Sequence, residues 1–350
     1  MTSEPDRSQR SAAWTGRSRG GELLFLVCAA LVPRAGIIGV WLGSFVIAAG
    51  FLVMGGRNQY GILSYWWRLR PRCSRWTLLV TLLRHYASFG RVLCDRLLFI
   101  LSPQRYRLES TGIEHAISLM RQRRGFIFLS GHHGNWEIAP LLIQRGIAEA
   151  QSRAAARGKA AALGQAAAPG EAAAIAPPVV HIVMIQGDLP AIQRFSDRHR
   201  GNWPVRFHDP RNALGTAVEL AAALTRGEIV CLLGDRVHAD QPAVTARFLG
   251  KMARFPAGPF QTALLTGAPI LPAFMTKTGL RGYRLEVDPP WTVRAASRAD
   301  RQNAVAAAAQ RWARRLELQV RRHPFQWHNF FDFFRISTEP PRRKVAKQTH

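Results

Sequence analysis

Apolar residues run almost unbroken over residues 23–54, interrupted only by Pro33 and Arg34. The second part, 37–54, is about long enough to cross a bilayer. Pro33 and Arg34 alternatively divide the run into a hairpin of two shorter helices seated in one leaflet. Both flanks are basic, with Arg7, Arg10, Arg17 and Arg19 before it and Arg57, Arg68, Arg70, Arg72 and Arg75 after it. The positive-inside rule therefore selects no side, which favours a re-entrant or monotopic anchor over a simple span. A buried pair of core helices is the competing reading. A cleaved signal peptide fits poorly, because the apolar run is too long and no small-residue cleavage site follows.

Beyond the anchor the periodicity changes. Residues 76–101 and 112–124 read as helices, the first amphipathic. The run 125–130, Gly-Phe-Ile-Phe-Leu-Ser, is short and continuously apolar, as a buried strand is. Similar strands are expected at 179–185, 229–233 and 269–275, with a polar-alternating one at 283–287. Helical patterns separate most of them, for instance 213–225. A last helix, 300–322, puts Trp312, Leu316 and Val320 on one stripe and stops at Pro324. Alternating β and α elements predict an α/β fold: a single domain whose central mixed sheet is flanked by helices, plus the N-terminal apolar helical anchor. The division is a polar basic N-terminus (1–22), the anchor (23–56), the α/β domain (57–338) and a basic tail (339–350). Within the domain, 148–178 is Ala-rich with Gly, Gln and Pro and almost no bulky apolar residue. Such a segment buries too little to offset its ordering entropy and predicts a mobile loop.

Charge is the compositional outlier: 48 Lys plus Arg against 22 Asp plus Glu, a net +26. That balance favours polyanions, meaning nucleic acid, an anionic membrane face or a phosphorylated substrate. It also fits a genome that writes Arg for Lys, so charge alone names no partner. The arginines are spread along the chain and form no recognised nucleic-acid module, which ranks nucleic acid last. The four cysteines, Cys28, Cys73, Cys94 and Cys231, form no CxxC pair and suggest a reducing, cytoplasmic setting.

The sharpest local feature follows the 125–130 strand: Ser130-Gly-His-His-Gly-Asn-Trp-Glu137. His132 and Glu137 are five apart and would not share a face of one ideal helix. They meet only if the chain turns between them, and Gly134 permits that turn. The expected geometry puts His132 at the strand end and Glu137 in the first turn of a following helix, its carboxylate favoured by the helix dipole. Glu137 then accepts a hydrogen bond from one imidazole nitrogen and leaves the other as a base. Amides at the helix start would help hold an oxyanion. A His-His pair in a loop also suits a surface or structural role, and His133 is assigned to that.

This block resembles the lysophospholipid acyltransferase superfamily, and within it the late acyltransferases of lipid A biosynthesis and their relatives, whose hallmark is a His followed by four residues and an acid. Three further blocks agree in order. They are Gly234-Asp-Arg236 after a strand; Phe248-Leu-Gly-Lys-Met-Ala-Arg-Phe-Pro-Ala-Gly-Pro-Phe260 followed by Thr266-Gly-Ala-Pro-Ile-Leu-Pro272; and His323-Pro-Phe-Gln-Trp-His-Asn-Phe330. The resemblance spans about residues 20–335. It departs at the 86–96 run and the Ala-Arg-Phe-Pro-Ala-Gly-Pro-Phe block, which look closer to a sister group, and at the 148–178 insert.

The resemblance implies catalysis by His132 and Glu137, with Gly134, Asn135, Asp235, Arg236, Arg254 and Gly258 on the substrate side. Arg236, after a strand end, suits a two-pronged grip on phosphate. Asp235 would orient Arg236 or stand near the acceptor hydroxyl; a structural ion pair is the alternative. Arg254 with Gly258 suits an anion contact or a tight Pro-Gly turn, and Gln326 and Trp327 read as fold-closing. No Gly-x-Ser-x-Gly, Walker loop or metal-ligand cluster is present, so no cofactor and no metal is expected. The implied reaction moves an acyl chain from an acyl-carrier-protein (acyl-ACP) or acyl-CoA thioester to a hydroxyl of a lipid or glycolipid acceptor. Lipid A-type biosynthesis is the favoured setting, at the bacterial inner (cytoplasmic) membrane with the site on the cytoplasmic side. The competing readings are the same chemistry on a polyene or amino-acid lipid, and a non-enzymatic membrane protein binding anionic lipid.

Overall fold

The strands of this computed structural model are, in chain order, β1 (Arg107–Thr111), β2 (Phe126–Ser130), β3 (Val180–Val183), β4 (Val205–His208), β5 (Ile229–Leu233), β6 (Ala243–Phe248), β7 (Lys251–Pro256), β8 (Ile270–Lys277) and β9 (Gly282–Val287). The helices are α1 (Glu22–Met54), α2 (Gln59–Leu69), α3 (Arg75–Leu101), α4 (Ile113–Arg121), α5 (Ala213–Thr225), α6 (Gly258–Thr266) and α7 (Arg301–Arg322). The structure describes residues 22–54, 59–138, 178–184, 204–237 and 241–334. The predicted insert therefore lies outside the described residues except for residue 178, as do most of the N-terminal segment and the basic tail.

Seven strands form one mixed sheet in the order β1-β9-β8-β2-β5-β3-β4, and β6 and β7 form a separate antiparallel hairpin. The central neighbours β8, β2, β5, β3 and β4 are parallel, and β9 turns antiparallel against β8. Burial on both faces explains why β2 and β5 read as continuous apolar runs. Along β2, Ile127 and Leu129 enter one core with α5, α7 and the β6–β7 hairpin. Phe126 and Phe128 enter the other with α3 and α4. The expected α/β architecture, a mixed sheet flanked by helices with one apolar N-terminal helix as candidate anchor, is the one observed.

Two helices bear directly on the site. On α7, Trp312 and Leu316 are buried, and the Trp312 ring stacks on Phe274 of β8 with centroids 5.5 Å apart. Its indole N–H reaches the carbonyl of Gly234, 2.8 Å away, just past β5. α3 begins at a Ser74 side chain that accepts the Thr77 amide, and its Leu98 and Phe99 share a core with Phe126 and Phe128 of β2. α1 is interrupted at Gly36 (φ 57, ψ −138), next to the Pro33–Arg34 pair where the sequence suggested a break.

Candidate functional site

β2 and β5 are parallel neighbours in register, Ser130 opposite Leu233. Their carboxyl ends therefore release two loops side by side, where open α/β sheets place their ligands. The Gly234 amide donates to the Ser130 carbonyl (2.7 Å), carrying the ladder one step past the strands. That step sets His132 against Asp235. The imidazole Nδ1–H donates to Asp235 Oδ1 at 2.7 Å, and the His132 backbone amide donates to Oδ2 at 2.8 Å. A third donor, Trp327 Nε1–H, reaches Oδ2 at 2.9 Å.

Asp235 is fully buried. Burial would raise its pKa, but the opposing pull of His132, through charge and hydrogen bonds, and of Arg236 holds the carboxyl down at about 2. An ionised, thrice-bonded carboxylate on Nδ1 fixes both the tautomer and the tilt of the ring. With Nδ1 engaged by Asp235, Nε2 is the ring nitrogen that could exchange a proton with a substrate.

The acid against Nδ1 is thus Asp235; the sequence reading put Glu137 on one of the two imidazole nitrogens without choosing between them. Glu137 lies in a 3-10 turn, Trp136–Ile138, and not in the first turn of an α-helix; its side chain is outside the described residues. The residues past 138, where a following helix would offer its first amides, lie outside the described residues. The amides of His133, Gly134 and Asn135 donate to the carbonyls of Gly131, Gln326 and Met275, so these three are already engaged.

Gly134 does make the predicted turn, with φ +60, and an added Cβ would stand 1.7 Å from the Met275 carbonyl oxygen. Asn135 is buried beneath the turn. Its Nδ2 lies 3.4 Å from both the Val92 carbonyl and the Tyr283 hydroxyl, and Tyr283 in turn donates to Asp95. His133 is fully buried, and burial foremost pushes its imidazole down to about 3, so it stays neutral. That matches the structural role read for it.

The 323–329 segment closes the site from behind. Gln326 pairs its side-chain amide with both backbone groups of Lys277, at 2.8 Å each. The His328 amide donates to the His132 carbonyl (2.9 Å), and Arg236 Nη2 donates to the His328 carbonyl (2.7 Å). Arg236 therefore braces this strap with at least one of the nitrogens read as a phosphate grip. Burial foremost lowers its guanidinium to about 10, against the pull of Asp235. Trp327 was read as fold-closing; its contact with Asp235 spans 92 residues of sequence and has no local signature. Arg254 lies on β7 opposite Thr245, and Gly258 opens α6. Neither is hydrogen-bonded to the His132–Asp235 pair.

Residues 183–335 match the family described as bacterial lipid A biosynthesis acyltransferase. This stretch holds Asp235, Arg236, Arg254, Gly258 and the strap, and lies C-terminal to His132. Two curated relatives are phosphatidylinositol mannoside acyltransferases of Mycobacterium tuberculosis, from strains ATCC 25618 / H37Rv and CDC 1551 / Oshkosh. Each is 30% identical over 135 residues, which is 35% of this chain and 40% of the relative. The match thus spans well under half the length of these relatives. Over residues 183–335 the chain is therefore similar to the bacterial lipid A biosynthesis acyltransferases.

Proposed function

We propose that this protein is a membrane-associated acyltransferase in which His132 is the general base. The observation that carries the reading is the 2.7 Å contact between His132 Nδ1 and Asp235 Oδ1 at the ends of adjacent parallel strands. His132 Nε2 takes the proton of an acceptor hydroxyl, and the oxygen attacks the carbonyl carbon of an acyl thioester. The tetrahedral oxyanion collapses with cleavage of the C–S bond, and the imidazolium returns its proton to the departing sulfur. The products are an ester and a free thiol. Asp235 keeps the proton on Nδ1 and offsets the imidazolium charge that forms midway. Glu137, the last residue of the Gly131–Glu137 block, remains the candidate second acid.

The donor is acyl-ACP or acyl-CoA, and the acceptor is a lipid or glycolipid hydroxyl. The family match over residues 183–335 supports a lipid A-type acceptor, with the cytoplasmic face of a bacterial inner membrane as the proposed setting. A second reading keeps the chemistry and changes the acceptor, and the relatives named for a mannosylated phosphatidylinositol favour it. The test is acyl transfer by purified protein from labelled acyl-CoA or acyl-ACP to lipid extracts. His132→Ala should lower turnover by about 10²–10⁴-fold. Undiminished turnover by folded His132→Ala protein would sink the assignment. Mass spectrometry of the lipids lost in a deletion strain identifies the acceptor.

A further inference from the structure

We propose that α1 and the first half of α3 form one apolar face that lies within a single leaflet of an anionic bilayer, with α1 along the membrane plane and not across it. This deepens the membrane part of the reading above and rests on that part alone, independently of the chemistry at His132.

α1 has two faces of opposite fate. Gly36, Val40, Ser44 and Ala48, each four apart, are buried. The other side carries Ile38, Trp41, Leu42, Phe45, Val46 and Val53, all exposed, Val53 at 85%. α3 extends this surface with Trp76, Leu79, Val80 and Leu83 at one-turn spacing, Trp76 at 78%. Scattered exposed apolar side chains need no partner, but ten on one helix pair form a patch that does.

The seam between the helices decides how that partner is met. Gly43 sits against the Cys94 sulfur, and Gly90 lies so close to the Ser44 backbone that an added Cβ would be 2.8 Å from its carbonyl oxygen. Phe51 stacks on Tyr86 at 5.6 Å, and Gly36 lies beside Arg105. α1 therefore runs antiparallel along the second half of α3, from Tyr86 to Arg105 just past its end. α3 carries Arg91, Asp95 and Arg96, and Asp95 is buried in contact with Lys277, Tyr106 and Tyr283 of the sheet side. A crossing α1 would draw these charges and the sheet edge into hydrocarbon, which is strongly unfavourable. Lying flat, α1 inserts only its outer face, as interfacial helices do.

Charge identifies the occupant as anionic lipid. Arg70, Arg72 and Arg75 are exposed at the α2–α3 turn, beside the exposed indoles of Trp67 and Trp76. Arginine and tryptophan together suit the headgroup level of a negatively charged leaflet. The geometry also links this face to the site. Phe51 stacks on Phe330, the residue after the strap, at 6.0 Å, and the strap's His328 amide donates to the His132 carbonyl.

The test uses full-length protein in phosphatidylethanolamine/phosphatidylglycerol vesicles. Nitroxides are placed singly at positions 42, 46, 53 and 80, with Cys28, Cys73, Cys94 and Cys231 replaced by Ser. All four should be more accessible to oxygen than to a water-soluble nickel complex, at one shared depth of about 5–10 Å. A depth that rises and falls through the midplane from 42 to 53 would establish a span and overturn the proposal. Protection from both quenchers would place the face inside the fold or a dimer and overturn it equally. The double variant Leu42→Asp/Val46→Asp should weaken vesicle partitioning on the order of tenfold or more, and unchanged partitioning refutes it. His132→Ala separates the two readings, because it removes transfer while leaving the depth profile intact.

Discussion

Trp327 donates its indole N–H to the same Asp235 oxygen that accepts the backbone amide of His132, at 2.9 and 2.8 Å. The other carboxylate oxygen is left to the imidazole. Trp327 is 1% exposed and packs its ring against Tyr65, Phe248 and Phe333, so it cannot follow Asp235 if the carboxylate rotates. It positions the Asp235 carboxylate against His132, held rigid by the core around it.

Trp327→Phe keeps most of the ring and removes the donor. Losing one bond to a buried carboxylate should cost about 1–3 kcal/mol of stability. Turnover should fall several-fold with little change in KM, because the acceptor does not touch the indole. Chemical unfolding and steady-state kinetics on the same preparation check both. A rise in KM alone, with kcat intact, would mean that Trp327 shapes a binding surface.

Gly134→Ala should be poorly tolerated. The left-handed conformation costs a side chain about 1–2 kcal/mol by itself, and the added methyl would collide with the Met275 carbonyl. The expected outcome is a loss of at least about 2 kcal/mol, seen as a lowered melting temperature or poor yield. Wild-type stability would show that the turn can open away from β8.

Much of the fold was legible because its central strands announce themselves. Phe126–Ser130 and Ile229–Leu233 are buried on both faces and read as unbroken apolar runs. The edges were silent for the converse reason. β1, Arg-Leu-Glu-Ser-Thr, is exposed at four of its five positions, and β4, Val-Arg-Phe-His, alternates with an arginine and a histidine. The β6–β7 hairpin turns at Leu249 and Gly250, both at positive φ (47 and 78), and Leu-Gly is not a turn signature. In the site, His132 and the need for a turn at Gly134 could be read locally. The acid on Nδ1 could not, since 103 residues separate it from His132 and only the pairing of β2 with β5 joins them.

Acid should loosen the site at a pH set by Asp235. Its carboxyl lies at about 2 against an ordinary 3.8, so the folded state favours the ionised form. A depressed carboxylate contributes stability that is complete above about pH 4 and is lost as pH falls towards 2. Asp235→Asn lacks this term. The difference in urea midpoint between wild type and Asp235→Asn, measured in detergent, should therefore shrink from pH 5 to pH 2. A constant difference would mean that the carboxylate's charge contributes nothing to stability.

The relative loss in Asp235→Asn and Glu137→Gln decides which acid serves His132. An amide at 235 still fits the pocket, but its NH2 group can face Nδ1 and favour the tautomer with the proton on Nε2, which is useless for a base. That substitution should cost at least about 10²-fold in kcat, with KM nearly unchanged. Removing the negative charge also makes the imidazole easier to deprotonate, so the acid limb of the kcat/KM profile should move to lower pH. Glu137→Gln should slow turnover as well if the motif acid takes part. A loss smaller than that of Asp235→Asn, without the displaced acid limb, assigns it to binding or to shaping the turn. The reverse ranking, with Glu137→Gln the more damaging and Asp235→Asn near wild type, would make the Asp235 contact structural and return the relay to the motif acid.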